Sequence, residues 1–217
     1  MMSEKAKNIL EWIECIVIAV VLALLIRYYI GTPTIVKMSS MYPTLKQNER
    51  LILNRIPRTF KKVPNRGDII TFEAPSKKDI KIEEADTENP VAIYNYTPSN
   101  IISKFTYYVL EWGKDSYIKR VIGLPGDHVQ IANGKVYING EELDESAYLK
   151  DDVVTDGYGG AFTDIVFPEG YIFAMGDNRS GSLDCRRFGC IPLKKLEGTV
   201  SIRFWPLNKF GHIQKAE

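Results

Sequence analysis

One run dominates what this chain can fold into: ILEWIECIVIAVVLALLIRYYI, from Ile9 to Ile30. A helix needs ~20 mostly apolar residues to cross a bilayer, and this run supplies one crossing. Between Cys15 and Ile26 it carries no charge. Valine, isoleucine and leucine fall on every side of the helix, so the polar stripe of a surface helix is missing. Trp12 near one end, and Tyr28 and Tyr29 at the other, stand where interfacial aromatics are favoured. Arg27 is long enough to snorkel to the headgroups. No small-x-small cleavage site follows, so a retained anchor is expected rather than a removed leader. Charge does not set the orientation. Lys5 and Lys7 precede the run, Arg27 and Lys37 follow it, and the near-tie gives the positive-inside rule nothing to act on.

After Gly31 the pattern switches to short β-type runs bounded by turn residues. Strands are predicted at 34–37, 50–54, 68–72, 117–122, 128–132, 135–139, 171–175 and 199–205. Asn133-Gly134 predicts a type I′ hairpin turn, because both central residues must take positive φ. Pro125-Gly126-Asp127 marks another turn. The expectation is a mainly β domain, barrel-like or sandwich-like. Residues 31–132 and 169–217 would form its core, with 133–168 as a smaller inserted subdomain, 9–30 as the membrane helix and 1–8 as a short cytoplasmic tail. The segment 76–113 reads as an irregular insertion on the β core.

The composition is that of a globular domain, 45% hydrophobic and 25% charged, and the net charge of +1 does not point to nucleic acid. No cysteine or histidine spacing fits a metal site, and no cofactor motif stands out. Cys185 and Cys190 are close enough in sequence to pair or to stay as two thiols; spacing does not decide between them.

The chemistry centres on KMSSMYPTL, residues 37–45. A serine is a weak nucleophile until a base takes its proton. The two histidines, His128 and His212, sit in a hairpin strand and a polar tail, and no G-x-S-x-G elbow is present. A lysine is the other candidate base, provided that burial lowers its pKa from ~10.4. On a strand, Tyr117, Lys119 and Val121 share one face, so Lys119 could be desolvated there, although a strand lysine ordinarily reaches water.

Three stretches then act together: SMYPTL (40–45), YIKRVIGLPGD (117–127) and MGDNRSGSLDCRRFG (175–189), with RFWPLNKFG (203–211) after them. Taken in this order behind an apolar span, they resemble the membrane-anchored type I signal peptidases, in the short Gram-positive form with one N-terminal span. The resemblance covers the chain from the anchor to about residue 211. It implies a signal-peptidase-like β-barrel core and a serine endopeptidase that removes signal peptides from exported preproteins after small residues. It also implies a bilayer, and the secretion translocon, as partners, and a catalytic domain on the extracytoplasmic side. Ser40 would be the nucleophile, Lys119 the general base, and Ser182 the hydroxyl that orients the lysine. Asp177, Asn178, Arg179 and Asp184 would hold the loop, Met41 would pack near the bilayer, and the Ser40 N–H would be one oxyanion donor. Two positions depart from the family pattern. Met38 stands where many members carry glycine or a serine that helps hold the oxyanion, and Cys185 stands where serine is usual. The Met38 departure motivates one alternative, a specialised protease for a pilin or surface-protein cluster. Another alternative, a non-catalytic chaperone-like homologue, should have lost the serine or the lysine, and both are present.

Overall fold

The structure, a computed structural model, describes residues 4–213. It opens with α1, Glu4–Tyr29. The helix therefore runs on through residues expected to form a tail before the span. Its apolar side chains stay exposed around the whole circumference, including Ile9, Trp12, Ile16, Val20 and Leu25. A helix this long and apolar can cross a membrane.

The rest is mostly β. The strands are β1 (Gly31–Ile35), β2 (Arg50–Asn54), β3 (Ile69–Glu73), β4 (Ser116–Gly123), β5 (His128–Ala132), β6 (Lys135–Ile138), β7 (Glu141–Glu142), β8 (Asp164–Val166), β9 (Tyr171–Met175), β10 (Ile191–Pro192), β11 (Leu196–Trp205) and β12 (Gly211–His212). Three short helices join them: α2 (Ile56–Thr59), α3 (Ile101–Tyr108) and α4 (Cys185–Phe188). The larger sheet runs β1-β2-β11-β3-β4-β9-β10, with β12 added to β11; the smaller runs β7-β6-β5-β8. The smaller sheet includes β5, so the subdomain boundary expected at residue 133 falls inside the β5–β6 hairpin. The turn of that hairpin holds Asn133 and Gly134 at φ 51° and 79°.

Two cores flank the strand that carries Lys119. Val121 and Ile122 face the first, with Ile70, Phe72, Phe173 and Phe188, and it continues into the small sheet through Val129, Val136 and Phe167. The second gathers Val36, Met41, Leu45, Leu51, Leu53, Ile69, Val200 and Ile213, with Ile118 packed against it. Met41 is completely buried here. It anchors the turn that bears Ser40 and does not face a bilayer, contrary to the expectation from sequence. Burying such a side chain contributes about 1.5–3 kcal/mol.

The segment expected to be irregular is partly ordered. Ile80 and Ala92 enter the first core, and α3 starts at a capping box in which Asn100 and Ser103 satisfy each other's backbone N–H.

Candidate active site

The sequence places Ser40 and Lys119 far apart, and the fold brings them together. Lys119 Nζ lies 2.7 Å from Ser40 Oγ. Ser40 sits in a turn closed by Tyr42 N–H to Ser39 O and Leu45 N–H to Met41 O. Lys119 lies mid-strand in β4, paired with Ile70 of β3. It is 3% exposed, so it does not reach water as a strand lysine usually does. Burial lowers its pKa to about 8, a shift that Asp184, Cys185 and Asp177 partly oppose.

The two nearby carboxylates are already engaged. Arg120, the next residue of β4, donates from Nε and Nη2 to Asp177 at 2.9 and 2.7 Å and stacks 4.0 Å from the Tyr148 ring. Arg186 grips Asp184 in the same two-pronged way, at 2.8 and 2.9 Å. All four side chains are completely buried. Each carboxylate thus has its own guanidinium, in the geometry that suits bidentate pairing. The described polar partner of the Lys119 amine is the Ser40 hydroxyl.

The GDNRSGSLD loop clamps the serine turn. Asn178 donates from its backbone N–H to Ser40 O at 3.0 Å and from Nδ2 to Ser39 O at 3.2 Å. Asp184 accepts the Gly176 N–H and caps α4 by accepting from Arg186 N–H. Arg179 donates to Gly176 O, Glu145 and Thr155. Gly176 is required by space. A Cβ there would lie 2.2 Å from Ser182 Oγ and 2.4 Å from Ser40 O. Glu145, Tyr148 and Thr155, which buttress the loop from the long β7–β8 connection, escaped sequence reasoning. They belong to no motif, and only the fold makes them neighbours.

Ser182 is brought into the same layer but does not make the expected bond to Lys119. Its hydroxyl is buried and has no hydrogen-bond partner among the described residues. The Ser40 N–H is likewise without a partner among the described residues. Met38 is 66% exposed, outside this layer of buried groups. Neither histidine takes part: His128 Nε2 contacts Asp164 Oδ1 at 2.6 Å on the surface, and His212 is exposed in β12. Cys185 and Cys190 are both free and buried, and Cys185 Sγ accepts the Ala174 N–H at 3.2 Å. Burial pushes both thiols above their ordinary pKa. No cluster able to hold a metal occurs among the described residues.

An open strand edge lies beside the pair. β9 covers β4 only from Arg120 onward, through Arg120–Met175, Val121–Ala174 and Gly123–Phe173. Residues 116–119 therefore have β3 on one side and no strand on the other among the described residues. Such an edge accepts an extended peptide by strand addition. A cavity of about 570 Å³ opens elsewhere, between Pro43–Thr44, the 146–150 loop and residues 209–213, and neither Ser40 nor Lys119 lines it.

The chain resembles known proteins along most of its length. The family model for signal peptidase, peptidase S26, matches residues 9–205. Signal peptidase I S of Bacillus subtilis (strain 168) is 36% identical over 211 residues, covering 94% of each chain. A probable signal peptidase I-2 of Synechocystis is 32% identical, over 92% of this chain and 76% of its own. Signal peptidase IB of Staphylococcus aureus (strain COL) is 30% identical over 95% and 94%. A family model spanning most of the sequence, and relatives matched nearly end to end, mean that this chain belongs to the signal peptidase family, peptidase S26, a family of serine endopeptidases that remove signal peptides.

Proposed function

We propose that this protein is a membrane-anchored peptidase that cleaves exported preproteins after small residues, using Ser40 as nucleophile and Lys119 as general base. The observation that carries the reading is the buried 2.7 Å contact between Lys119 Nζ and Ser40 Oγ. A lysine pKa near 8 leaves a usable neutral fraction around neutral pH. The neutral amine takes the Ser40 proton as Oγ attacks the scissile carbonyl. The resulting ammonium returns that proton to the leaving amine, giving an acyl-enzyme. Lys119 then removes a proton from water as it attacks the ester carbonyl, and the ammonium returns that proton to the departing Ser40 Oγ, freeing the serine and the carboxylic acid product.

The unpartnered Ser40 N–H is the oxyanion donor. Met38 carries no hydrogen-bond donor in its side chain and offers no second one. The substrate lies extended along the open 116–119 edge of β4. Ser182, with its free buried hydroxyl, takes up Lys119 when the Ser40 proton moves. Asp177 and Asp184 are structural, each held by its arginine. The span α1 anchors the chain, with the β domain on the extracytoplasmic side. The test is cleavage of a preprotein with alanine at the first and third positions before the cut by full-length protein in detergent. Ser40→Ala is expected to abolish cleavage while the variant stays folded; cleavage by that variant would remove Ser40 from its role.

A further inference from the structure

A second cavity, of about 370 Å³, lies at the far end of the face that carries Lys119. Tyr96, Tyr107 and Trp112 line it, with Lys78 and Asp115 at its rim. Trp112 is 79% exposed and Tyr96 51%, an unusual display for large aromatics. We infer that this aromatic box is an upstream specificity subsite, taking an apolar side chain of the signal peptide about four to six residues before the cut. The inference rests on the peptidase reading given above and extends its substrate groove.

Three observations point the same way. The first is continuity. Alternation puts Asp115 on the side of β4 shared by Tyr117 and Lys119. The Lys119 amine lies 5.4 Å from the Tyr117 ring centroid, and Lys78 lies 5.6 Å from the same ring. Lys78 is also 3.7 Å from Asp115. A chain of contacts through Tyr117 and Lys78 thus links Lys119 to Asp115 at the box.

The second is length and access. From Lys119 to Asp115 the strand covers ~13 Å at ~3.3 Å per residue, so an added strand reaches the box after about four residues. Among the described residues, the edge along that path has no strand partner beyond β3.

The third is direction. Arg27, in the last turn of α1, donates to Leu110 O at 3.3 Å and to Glu111 at 3.2 Å, immediately before Trp112. The box thus opens beside the end of the spanning helix. A signal peptide is held in the bilayer on its N-terminal side, so the residues before the cut arrive from this end. Tyr96 and Tyr107, with ring centroids 4.9 Å apart, offer aromatic surface to an aliphatic side chain.

The test compares preproteins differing only at the fourth, fifth or sixth residue before the cut, leucine against alanine, cleaved by full-length protein in detergent. The wild type is expected to favour leucine at one of these positions by roughly ten-fold in kcat/KM, the scale of selectivity that a small hydrophobic contact supplies. Trp112→Ala or Tyr96→Ala should erase that preference while leaving cleavage of the alanine substrate within about two-fold, as removing one apolar contact predicts. Loss of the preference in either variant supports the subsite. Three results overturn it: no preference in the wild type, a preference kept in both variants, or an equal fall for every substrate. Cleavage by Ser40→Ala would instead count against the dyad and leave the Trp112 comparison to be read separately.

Discussion

Two buried lysines lie five residues apart on neighbouring stretches of the same chain, and they have opposite surroundings. Lys114 is 5% exposed and pairs with the Glu197 carboxylate at 2.6 Å; Glu197 also accepts from Ser116. Lys119 is equally buried, but Arg120 and Arg186 have taken the carboxylates near it. Its amine meets a serine hydroxyl instead. Burial by itself does not make a lysine a base. In general, an available counter-charge favours the charged form of a buried base, whereas burial beside acids that are already paired favours the neutral form. The arginines of the two motifs therefore act on the chemistry at one remove, by keeping two aspartates from becoming partners of Lys119.

The sharpest way to break this contrast is Lys119→Met. Cleavage should fall by on the order of 10²–10⁴ or more, the range for a lost general base. The fold should gain stability. The pKa of Lys119 is lowered to about 8 from 10.5, so the unfolded chain binds more protons between those values and stability rises with pH across that window. Below pH 8 the penalty for burying the ammonium is fully present, on the order of 3 kcal/mol. Denaturant melts should show Lys119→Met more stable than wild type by up to that amount at pH 7, with the difference shrinking toward pH 10.5.

Lys114→Met is the opposite case. It leaves Glu197 buried without its cation, which costs about 3–5 kcal/mol. Cleavage per folded molecule should stay close to wild type. A smaller effect is expected from Ser182→Ala. The hydroxyl makes no hydrogen bond, so unfolding measurements should show no loss of stability. If Ser182 receives Lys119 during the reaction, kcat should fall roughly ten-fold, on the scale of one hydrogen bond made only in the transition state.

How far the sequence carried this picture depended on the kind of signal. Strands 50–54, 128–132 and 171–175 were legible to the residue because turn residues bound apolar alternation on both sides. The first strand was misplaced by several residues: it pairs with β2 across Gly31–Ile35, through Pro33, whose ring counts against a strand in sequence. α3 was missed because Ile, Phe, Thr and Tyr fill it, and its only marker was the Asn100–Ser103 capping box. Motif resemblance singled out Ser40 and Lys119 as a candidate pair; neither periodicity nor composition gave their contact. Met41 was misassigned because sequence gives the spacing of a turn without the side on which it packs. The arginine–aspartate pairs lie within and between motifs, yet their consequence for Lys119 depends on burial that only three dimensions supply.

The central claim is that burial, with the nearby acids neutralised, makes Lys119 the base. The most direct measurement is the pH dependence of kcat/KM for wild-type cleavage of one preprotein. With Lys119 as the base, the neutral amine would be the active form, and activity should climb with pH along a limb whose midpoint lies near 8 and then level off. A limb still rising toward pH ~10, where an ordinary lysine titrates, would contradict the account.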